Sequence, residues 1–493
     1  MSKRLLFLLH RWMGIILCMF FAMWFLSGMV MMYVGYPKLT ETERLQHLPT
    51  LTADASLLAP QQAMERAHIS GPFADLRLSM ASAGRPVYLV QPTASKATIV
   101  VDARTGQRVM VTDAQRAVAS AAAYAGPGTA PRYLDMTDED AFTHTRSLDR
   151  HRPLHRVQLD DTAQTLLYIS GRTGEVVRDA SRNERLWNYA GAWIHWLYPF
   201  RGGVLDRYWA DIVNWLAIAG TVMVLIGATV GIQRWRFSRP YRSGSRSPYP
   251  DKFMRWHHIG GLLFAVIATT WIFSGLMSMN PWRVFTSSAA QLRMSSLEQG
   301  ALQPSALDAA PAALLAAANG DIRELRWTRV LGRTVVLAQP ASGKPTLIDS
   351  HSATATVIDA NALTEAARGL LPAPLISVET LSAYDFYYYS RDEHSMTSGS
   401  VKPLPVLRLV FADAQHSWIY LDPHTGMVVT RCDRLQRWSR WLFSLLHSWD
   451  WLPLVERRPL WDGVLILLSL GGVVMSLTGV VIGWRRLGKK LRA

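Results

Sequence analysis

Four stretches of this chain run for at least 20 residues without aspartate, glutamate, lysine or arginine: Trp12 to Val34, Ile212 to Ile232, Ile259 to Trp282 and Val464 to Gly483. A helix needs about 20 apolar residues to cross the hydrocarbon core of a bilayer, and buried helices of soluble proteins rarely go that far uncharged. The chain is therefore expected to be an integral membrane protein with four helical spans. The first run exceeds the roughly 7 to 15 apolar residues of a secretory signal and no small-residue cleavage site follows it, so it reads as a retained span.

Charge orients these spans. The residues ahead of the first run, the loop 233–258 and the tail from Trp484 together hold fifteen basic residues against one acid, Asp251. Those segments account for +14 of a formal net charge of +15. By the positive-inside rule they face the cytoplasm, as an even number of spans requires. Positive charge that hugs helix ends is explained by topology and anionic membrane lipid, so nucleic acid is not an expected partner.

The expected organisation follows from these limits. A cytoplasmic N-terminus and first span occupy 1–34, an outer segment 35–208, a second span 209–232 and a basic cytoplasmic loop 233–258. A third span (259–282), a second outer segment (283–460), a fourth span (461–484) and a basic tail (485–493) complete the chain. The outer segments contain short alternating runs such as Val87-Tyr88-Leu89-Val90 and Leu407-Arg408-Leu409-Val410-Phe411. Turn-like punctuation follows four such runs, at Asp102 to Gly106, Ser170 to Gly174, Asp349 to Ala353 and Asp422 to Gly426. The fold class is thus α-helical membrane spans with β-rich α+β outer domains, each holding two related β units with hairpins.

The chain also repeats itself. His10-Arg11-Trp12-Met13-Gly14 and the later Trp24 to Gly28 recur, offset by 247, as His257-His258-Ile259-Gly260-Gly261 and Trp271 to Gly275. A second offset, 252, places His195 of Gly191 to Trp196 on His447 of Leu445 to Trp449. Four equivalent histidines on or beside membrane helices suggest cofactor ligation. The only cysteines, Cys18 and Cys432, leave a disulfide framework improbable, and no Cys-x-x-Cys-His, dinucleotide fingerprint or Walker loop occurs. Any redox cofactor is expected to be non-covalent and within the membrane.

Several motifs carry a family resemblance. They are the His-Arg-Trp-x-Gly entry to the first run, the Trp-His-His-x-x-Gly-Leu entry to the third with Ser274-Gly275 and Asn280-Pro281 behind it, the run Leu381 to Tyr388, and Trp418 to Gly426. Together they resemble the PepSY-associated transmembrane family over nearly the whole chain. The resemblance implies a multi-pass protein of the bacterial inner membrane with periplasmic PepSY-like domains, and points toward haem-containing reductases of ferric siderophores.

Residue chemistry leads to the same type of cofactor. Neutral imidazole is a good axial ligand for haem iron. His10 and His257 enter from the cytoplasmic side, whereas His195 and His447 precede the second and fourth spans on the outer side. A span rises roughly 30 Å, so ligand pairs must cross the repeats rather than lie along one helix. One b-type haem is expected between His10 and His257 and a second between His195 and His447, with His258 as the alternate to His257. Arg11, Arg255, Arg234, Arg201 and Arg458 are candidates to pair with haem propionates. Trp24 and Trp271 fall mid-span, where packing is their simplest role.

The expected function is an electron conduit that reduces periplasmic ferric siderophores and releases Fe(II), fed by a cytoplasmic reductant or a membrane quinol. Tyr384, Tyr387 and Tyr388 are candidate contacts for the chelate, although alternation along a strand would bury some of them. The competing expectation is a non-catalytic membrane protein whose PepSY-like domains bind peptide, protease or polymer, or assist transporter assembly. A transport pathway is not expected, because no acidic residue and no helix break marks one within the runs.

Overall fold

The computed structural model describes residues 3–396 and 401–492. Its membrane part is built from α1 (Lys3–Met31), α2 (Trp209–Arg234), α3 (Lys252–Leu263), α4 (Ala265–Ser278) and α5 (Leu460–Leu491). Helices α1, α2 and α5 are each long and apolar enough to span a bilayer, while α3 and α4 reach that length only as a pair bent by 67°. The protein is thus a membrane protein with three spans, or four when the bent pair counts as one. The third run is not the unbroken helix expected. No proline lies at the break; Phe264, at φ −102° and ψ 8°, separates the two helices. Its ring presses against Gly471 of α5, where any Cβ would collide with it. The first repeat has Leu17 and Ala219 at these positions, and α1 is continuous. The break follows the Gly260-Gly261 pair, where the first repeat has Met13-Gly14, and glycine pairs are a usual site of sharp helix bends; the Phe264 ring sits beyond it in the space that Gly471 leaves open.

The bundle closes around Leu17, Phe21 and Phe25 of α1, Met223 and Val224 of α2, Ala268 and Ile272 of α4, and Val473 and Met475 of α5. Glycine permits close approach: a Cβ on Gly220 would lie 2.9 Å from the Phe21 ring, and one on Gly472 would run into the Phe25 ring.

Outside the bundle, fifteen strands among the described residues form three antiparallel sheets. The first half supplies β1 (Phe73–Ser82), β2 (Arg85–Pro92), β3 (Ile99–Asp102) and β4 (Arg108–Val109), then β5 (Arg132–Thr137), β6 (Leu154–Gln158), β7 (Leu166–Ser170) and β8 (Val176–Ala180). The second half supplies β9 (Ile322–Val330), β10 (Arg333–Pro340) and β11 (Thr346–Asp349), then β12 (Leu375–Leu381), β13 (Val406–Phe411), β14 (Trp418–Leu421) and β15 (Val428–Cys432). All four punctuated turns place their last residue at positive φ: Gly106, Gly174, Ala353 and Gly426. In three of them an aspartate carboxylate (Asp102, Asp349, Asp422) accepts backbone N–H groups of the turn.

Four β units are present, yet the two outer segments are not separate domains. Strand β5 to β8 and strand β12 to β15 units form their own four-stranded sheets, whereas the other two merge in the order β11-β10-β9-β1-β2-β3-β4. The join is β1 against β9, antiparallel, with Leu76 opposite Trp327, Arg77 opposite Arg326 and Leu78 opposite Leu325. Arg77 and Arg326 are themselves 249 residues apart, as are Leu76 and Leu325, so an approximate twofold passes through the join. Each strand would be an exposed edge in its own half, and pairing removes both edges. One face of the join is fully apolar and buried; on the other, Asp75 bridges Arg77 and Arg326 at 3.0 Å each.

A clasp ties the segment after α1 to the second half. The Lys38 ammonium donates to the Ser395 carbonyl at 3.4 Å, and Glu43 meets the His394 Nε2 at 2.6 Å. The bond to Glu43 raises the His394 pKa above 6.5. Burial opposes the charge on Glu43, but bonds from His394 and Thr40 hold its carboxyl down to about 2. The His394 contribution to stability is therefore complete below pH 6.5 and lost as pH rises through its raised value; that of Glu43 is present above pH 4.5 and lost as pH falls toward about 2. Thermal melts of the detergent-solubilised protein should show a plateau between these limits, and His394→Gln should abolish the alkaline shoulder. An unchanged shoulder in that variant would assign it to another group. The effect should be modest and salt-sensitive, because the His394 side chain is 44% exposed.

Candidate functional site

The two offsets in the sequence bring helices together in matched pairs. His195 and His447 face each other with ring centroids 6.2 Å apart, and His10 and His257 do the same at 6.2 Å. Two imidazoles sharing one metal through nitrogens about 2 Å from it have centroids about 6 Å apart.

Each ring is held by its Nδ1. The Ser27 hydroxyl donates to the Met23 carbonyl at 2.7 Å, so its oxygen accepts from His195 Nδ1 at 2.9 Å. Ser274, 247 residues later, donates to the Trp271 carbonyl and accepts from His447 Nδ1 at 3.0 Å. At the other end, His257 Nδ1 donates to the Met475 carbonyl at 3.0 Å, and His10 Nδ1 to the equivalent Met223 carbonyl at 3.4 Å. All four imidazoles thus carry their proton on Nδ1 and keep a lone pair on Nε2, the arrangement of metal-ligating histidines.

Glycines make room for the rings. A Cβ on Gly227 would lie 2.5 Å from His10 Cε1, and one on Gly479 would lie 3.1 Å from His257 Cε1. Gly227 and Gly479 are 252 residues apart and occupy equivalent turns of α2 and α5. Gly28 and Gly275 approach His195 and His447 less closely, at 3.7 and 3.6 Å from Cε1.

The segments carrying His195 and His447 share an unusual backbone. A π-helical turn precedes each, Tyr189–Trp193 and Arg440–Leu445, and two residues after each histidine a non-glycine adopts positive φ: Leu197 at 55° and Trp449 at 49°. Such features cost energy and cluster at functional sites. The Trp209 and Trp461 indoles, at the heads of α2 and α5, then tie these segments down by donating to the Trp196 and Ser448 carbonyls.

His258 is placed differently from His257. Its Nδ1 meets the Ser247 hydroxyl at 2.8 Å and its Nε2 donates to the Gly231 carbonyl at 2.9 Å, so neither nitrogen is left for a metal. It bolts Ser247, in the loop between α2 and α3, to α2 instead. Among the candidate arginines, Arg255 donates to the Tyr249 carbonyl and Arg234 lies over the Phe7 ring, while Arg11 is half-buried near His10 in sequence. Arg201 stacks over Trp209 and pairs with Asp206 at 3.2 Å; Arg458 stacks over Trp461.

The chelate candidates divide. Tyr388 is fully buried, stacked on Tyr420 at 4.7 Å, with its hydroxyl donated to the Pro403 carbonyl. It is a core residue and is withdrawn as a contact. Tyr384 and Tyr387 remain half-buried at the surface, the latter accepting from the Trp441 indole at 2.9 Å.

The repeat pattern, the paired imidazoles and the motifs converge on one family. The PepSY-associated TM region profile matches residues 7–486. The chain belongs to this family. No curated protein matches it. In this PepSY-associated chain the two histidine pairs lie at opposite ends of α1, since His10 and the His195-holding Ser27 are separated by about 25 Å of helix. Trp24, Phe25 and Trp271 lie between, with Phe25 and Trp271 centroids 5.8 Å apart. The Trp24 indole donates to the His195 carbonyl at 2.9 Å, whereas the equivalent indole of Trp271 is buried without a partner.

The donor set discriminates between metals. Among the described residues, no group of three or more His, Cys, Asp or Glu side chains converges. Two imidazoles cannot complete the shell of a bare zinc ion, but they suffice for haem iron, whose equatorial ligands come from the porphyrin. All four histidines lie within the bundle with Nδ1 bonded inside the protein, so the residues present fit axial ligation through Nε2.

Proposed function

We propose that this protein conducts electrons across the bacterial inner membrane and reduces ferric siderophores on the periplasmic side. His10 and His257 hold one b-type haem near the cytoplasmic face and His195 and His447 hold a second near the outer face; both termini are cytoplasmic. The supporting observation is the pair of facing imidazoles at each end of α1, each with a protonated Nδ1 and a free Nε2. Bound there, haem supplies a one-electron carrier. Ser27, Ser274 and the Met223 and Met475 carbonyls fix the tautomer and the ring direction, and the helix bundle keeps water from the path between the pairs. Arg201 and Arg458 stand at the outer face where propionates would emerge. Tyr384 and Tyr387, the latter packed on Trp418 and bonded to the Trp441 indole, offer an aromatic surface to a bulky chelate. One electron reduces Fe(III) to Fe(II), which hard oxygen chelators hold more weakly. The donor is a cytoplasmic reductant or a membrane quinol.

The bend at Phe264 is the feature that favours transport instead. It carries less weight, because the Phe264 ring fills the space against Gly471 and acidic side chains occur only in the first turns of α2 and α5.

The deciding experiment uses liposomes with reductant inside, a ferric siderophore outside and an impermeant ferrous chelator to report product. Ferrous iron should appear outside only when the protein carries its cofactor. Purified protein without haem absorption would support the non-catalytic PepSY reading, and haem reduction without ferrous iron across several siderophores would sink the substrate assignment.

A further inference from the structure

The two short helices that lead from the sheets to His195 and His447 carry the same stripe. One is Arg182–Asn188 with its π-helical turn Tyr189–Trp193, the other Arg434–Ser439 with its π-helical turn Arg440–Leu445. Positions i, i+4 and i+7 fall on one side of a helix. In the first half they are Arg182, Leu186 and Tyr189; in the second, 252 residues later, they are Arg434, Trp438 and Trp441. All six residues are exposed, the leucine and the three aromatics by 44 to 59%. The opposite side of each helix is packed. Asn188 and Arg440 are buried there, and a Cβ on Gly191 would lie 3.1 Å from the Val30 side chain of α1.

Neither the helices themselves nor their packing accounts for this stripe. Arg182 and Arg434 open their helices directly after the capping residues Ser181 and Asp433, where a cation opposes the helix dipole. Neither guanidinium has a hydrogen-bond or ion-pair partner among the described residues. The surroundings also differ between the halves. Trp441 donates its indole N–H to Tyr387, whereas Tyr189 packs edge-on against Phe142. Arg440 pairs with the buried Asp450, which also binds Arg391, whereas the first half has Asn188 and Tyr198 at the positions of Arg440 and Asp450. A stripe common to such unlike surroundings points to something that both halves face alike.

The bilayer meets that condition. Each segment ends at a histidine held by a serine of the bundle, His195 by Ser27 of α1 and His447 by Ser274 of α4. The stripe therefore runs from the sheets, where its arginine stands, toward the bundle, where its aromatic residue stands. From Tyr189 to His195, and from Trp441 to His447, is only about 9 Å of helix. The exposed apolar surface continues onto the spans that follow, at Trp215 of α2 and Leu467 of α5. Arginine followed by apolar and aromatic side chains is the order of a helix seated on a membrane: the guanidinium meets lipid phosphate, and the rings sit at headgroup level with their apolar faces toward the acyl chains. We propose that these two helices lie against the lipid leaflet on the side of the sheets, with Arg182 and Arg434 on phosphate groups and Leu186, Tyr189, Trp438 and Trp441 in the headgroup region. Phospholipid then holds the His195 and His447 segments at a fixed depth. The contact depends on the membrane character of the chain and not on what the histidines bind.

The test is photocrosslinking of the full-length protein in vesicles of phosphatidylethanolamine and phosphatidylglycerol. A benzophenone amino acid is placed at Leu186, at Trp438 or, as a reference in the exposed β10–β11 turn, at Ser342. Mass spectrometry after irradiation should find phospholipid adducts at the first two positions in several-fold higher yield than at the third. Adducts to a second copy of the chain in place of lipid, or a lipid yield no higher than at Ser342, would overturn the proposal. Arg182→Glu combined with Arg434→Glu should cut the lipid yield at both positions several-fold, because a carboxylate repels phosphate; an unchanged yield would overturn the phosphate contact. Depth is measured independently with a spin label on Leu186→Cys, Trp438→Cys or Ser342→Cys, in a chain carrying Cys18→Ala and Cys432→Ala. Collisions with dissolved oxygen should exceed those with a water-soluble nickel chelate at the first two positions and fall below them at the third. Equal access of the nickel chelate to all three would reject the contact. Should the cysteine-free chain fail to fold, the crosslinking arm, which keeps both cysteines, still decides.

Discussion

Alanine at His10 or His257 should remove about half of the bound haem and leave the remainder spectrally intact; alanine at His195 or His447 should remove the other half. The expectation rests on how the four rings are divided. Each pair has its own centroid separation of 6.2 Å and its own Nδ1 acceptors, and roughly 25 Å of α1 lies between them, so losing one imidazole opens one site only. His258→Ala should leave both components, because both of its nitrogens are bound within the protein, although the link from Ser247 to Gly231 would be lost. A pyridine haemochrome assay with low-temperature spectra gives the stoichiometry and identity of what remains. Loss of one component from His258→Ala with none from His257→Ala would reverse the assignment, and four unchanged spectra would remove these residues as ligands.

The second large effect belongs to a residue with no side chain. Gly227→Ala should empty the inner site nearly as completely as His10→Ala, because the added Cβ would lie 2.5 Å from His10 Cε1 and 2.9 Å from Nδ1. The ring cannot move aside and still reach the Met223 carbonyl and its partner imidazole. Overpacking of about 1 to 3 kcal/mol would weaken binding at the inner site by about 5- to 150-fold. Gly479→Ala should act on the same site, first through Cys18 Sγ at 2.5 Å and then through His257. Gly28→Ala and Gly275→Ala should be tolerated, since their added methyls meet His195 and His447 at ordinary van der Waals distances of 3.7 and 3.6 Å. Haem content per protein, measured for all four variants, checks the series. Equal effects at the four positions would mean that general helix packing, rather than ring clearance, is being perturbed.

Local signals were strong where a single periodicity or a repeat carried the information. Uncharged runs near the bilayer thickness mark α1, α2 and α5, because desolvating a charge in hydrocarbon is costly enough to leave its trace in every residue of a span. The aspartate and glycine turns mark the hairpins, and the 247 and 252 offsets mark the four histidines. Ser27 and Ser274 fall inside the repeated motifs, but their task is not legible there, and nothing in the sequence singles out Gly227 and Gly479, since hydrogen-bond acceptance and ring clearance exist only between helices.

What the sequence by itself determined is therefore the membrane character, the β-rich outer part, the internal duplication and the family-bearing motifs. Tertiary structure alone decided the rest. Periodicity within a run cannot reveal that α3 and α4 bend apart where Phe264 meets a glycine 207 residues away. Nor can it show that β1 and β9 erase each other's edges to fuse two segments into one sheet. A histidine doublet offers two ring nitrogens at either position, and only the packing of Ser247 and Gly231 occupies both of those of His258, while His257 commits Nδ1 alone, to the Met475 carbonyl, and its ring faces His10. Likewise an alternating aromatic run does not say which ring is inward, and the buried Arg391–Asp450–Arg440 triad joins residues 59 and 10 positions apart. Each of these depends on partners distant in sequence, whose approach is set by the packing of whole elements rather than by local preference.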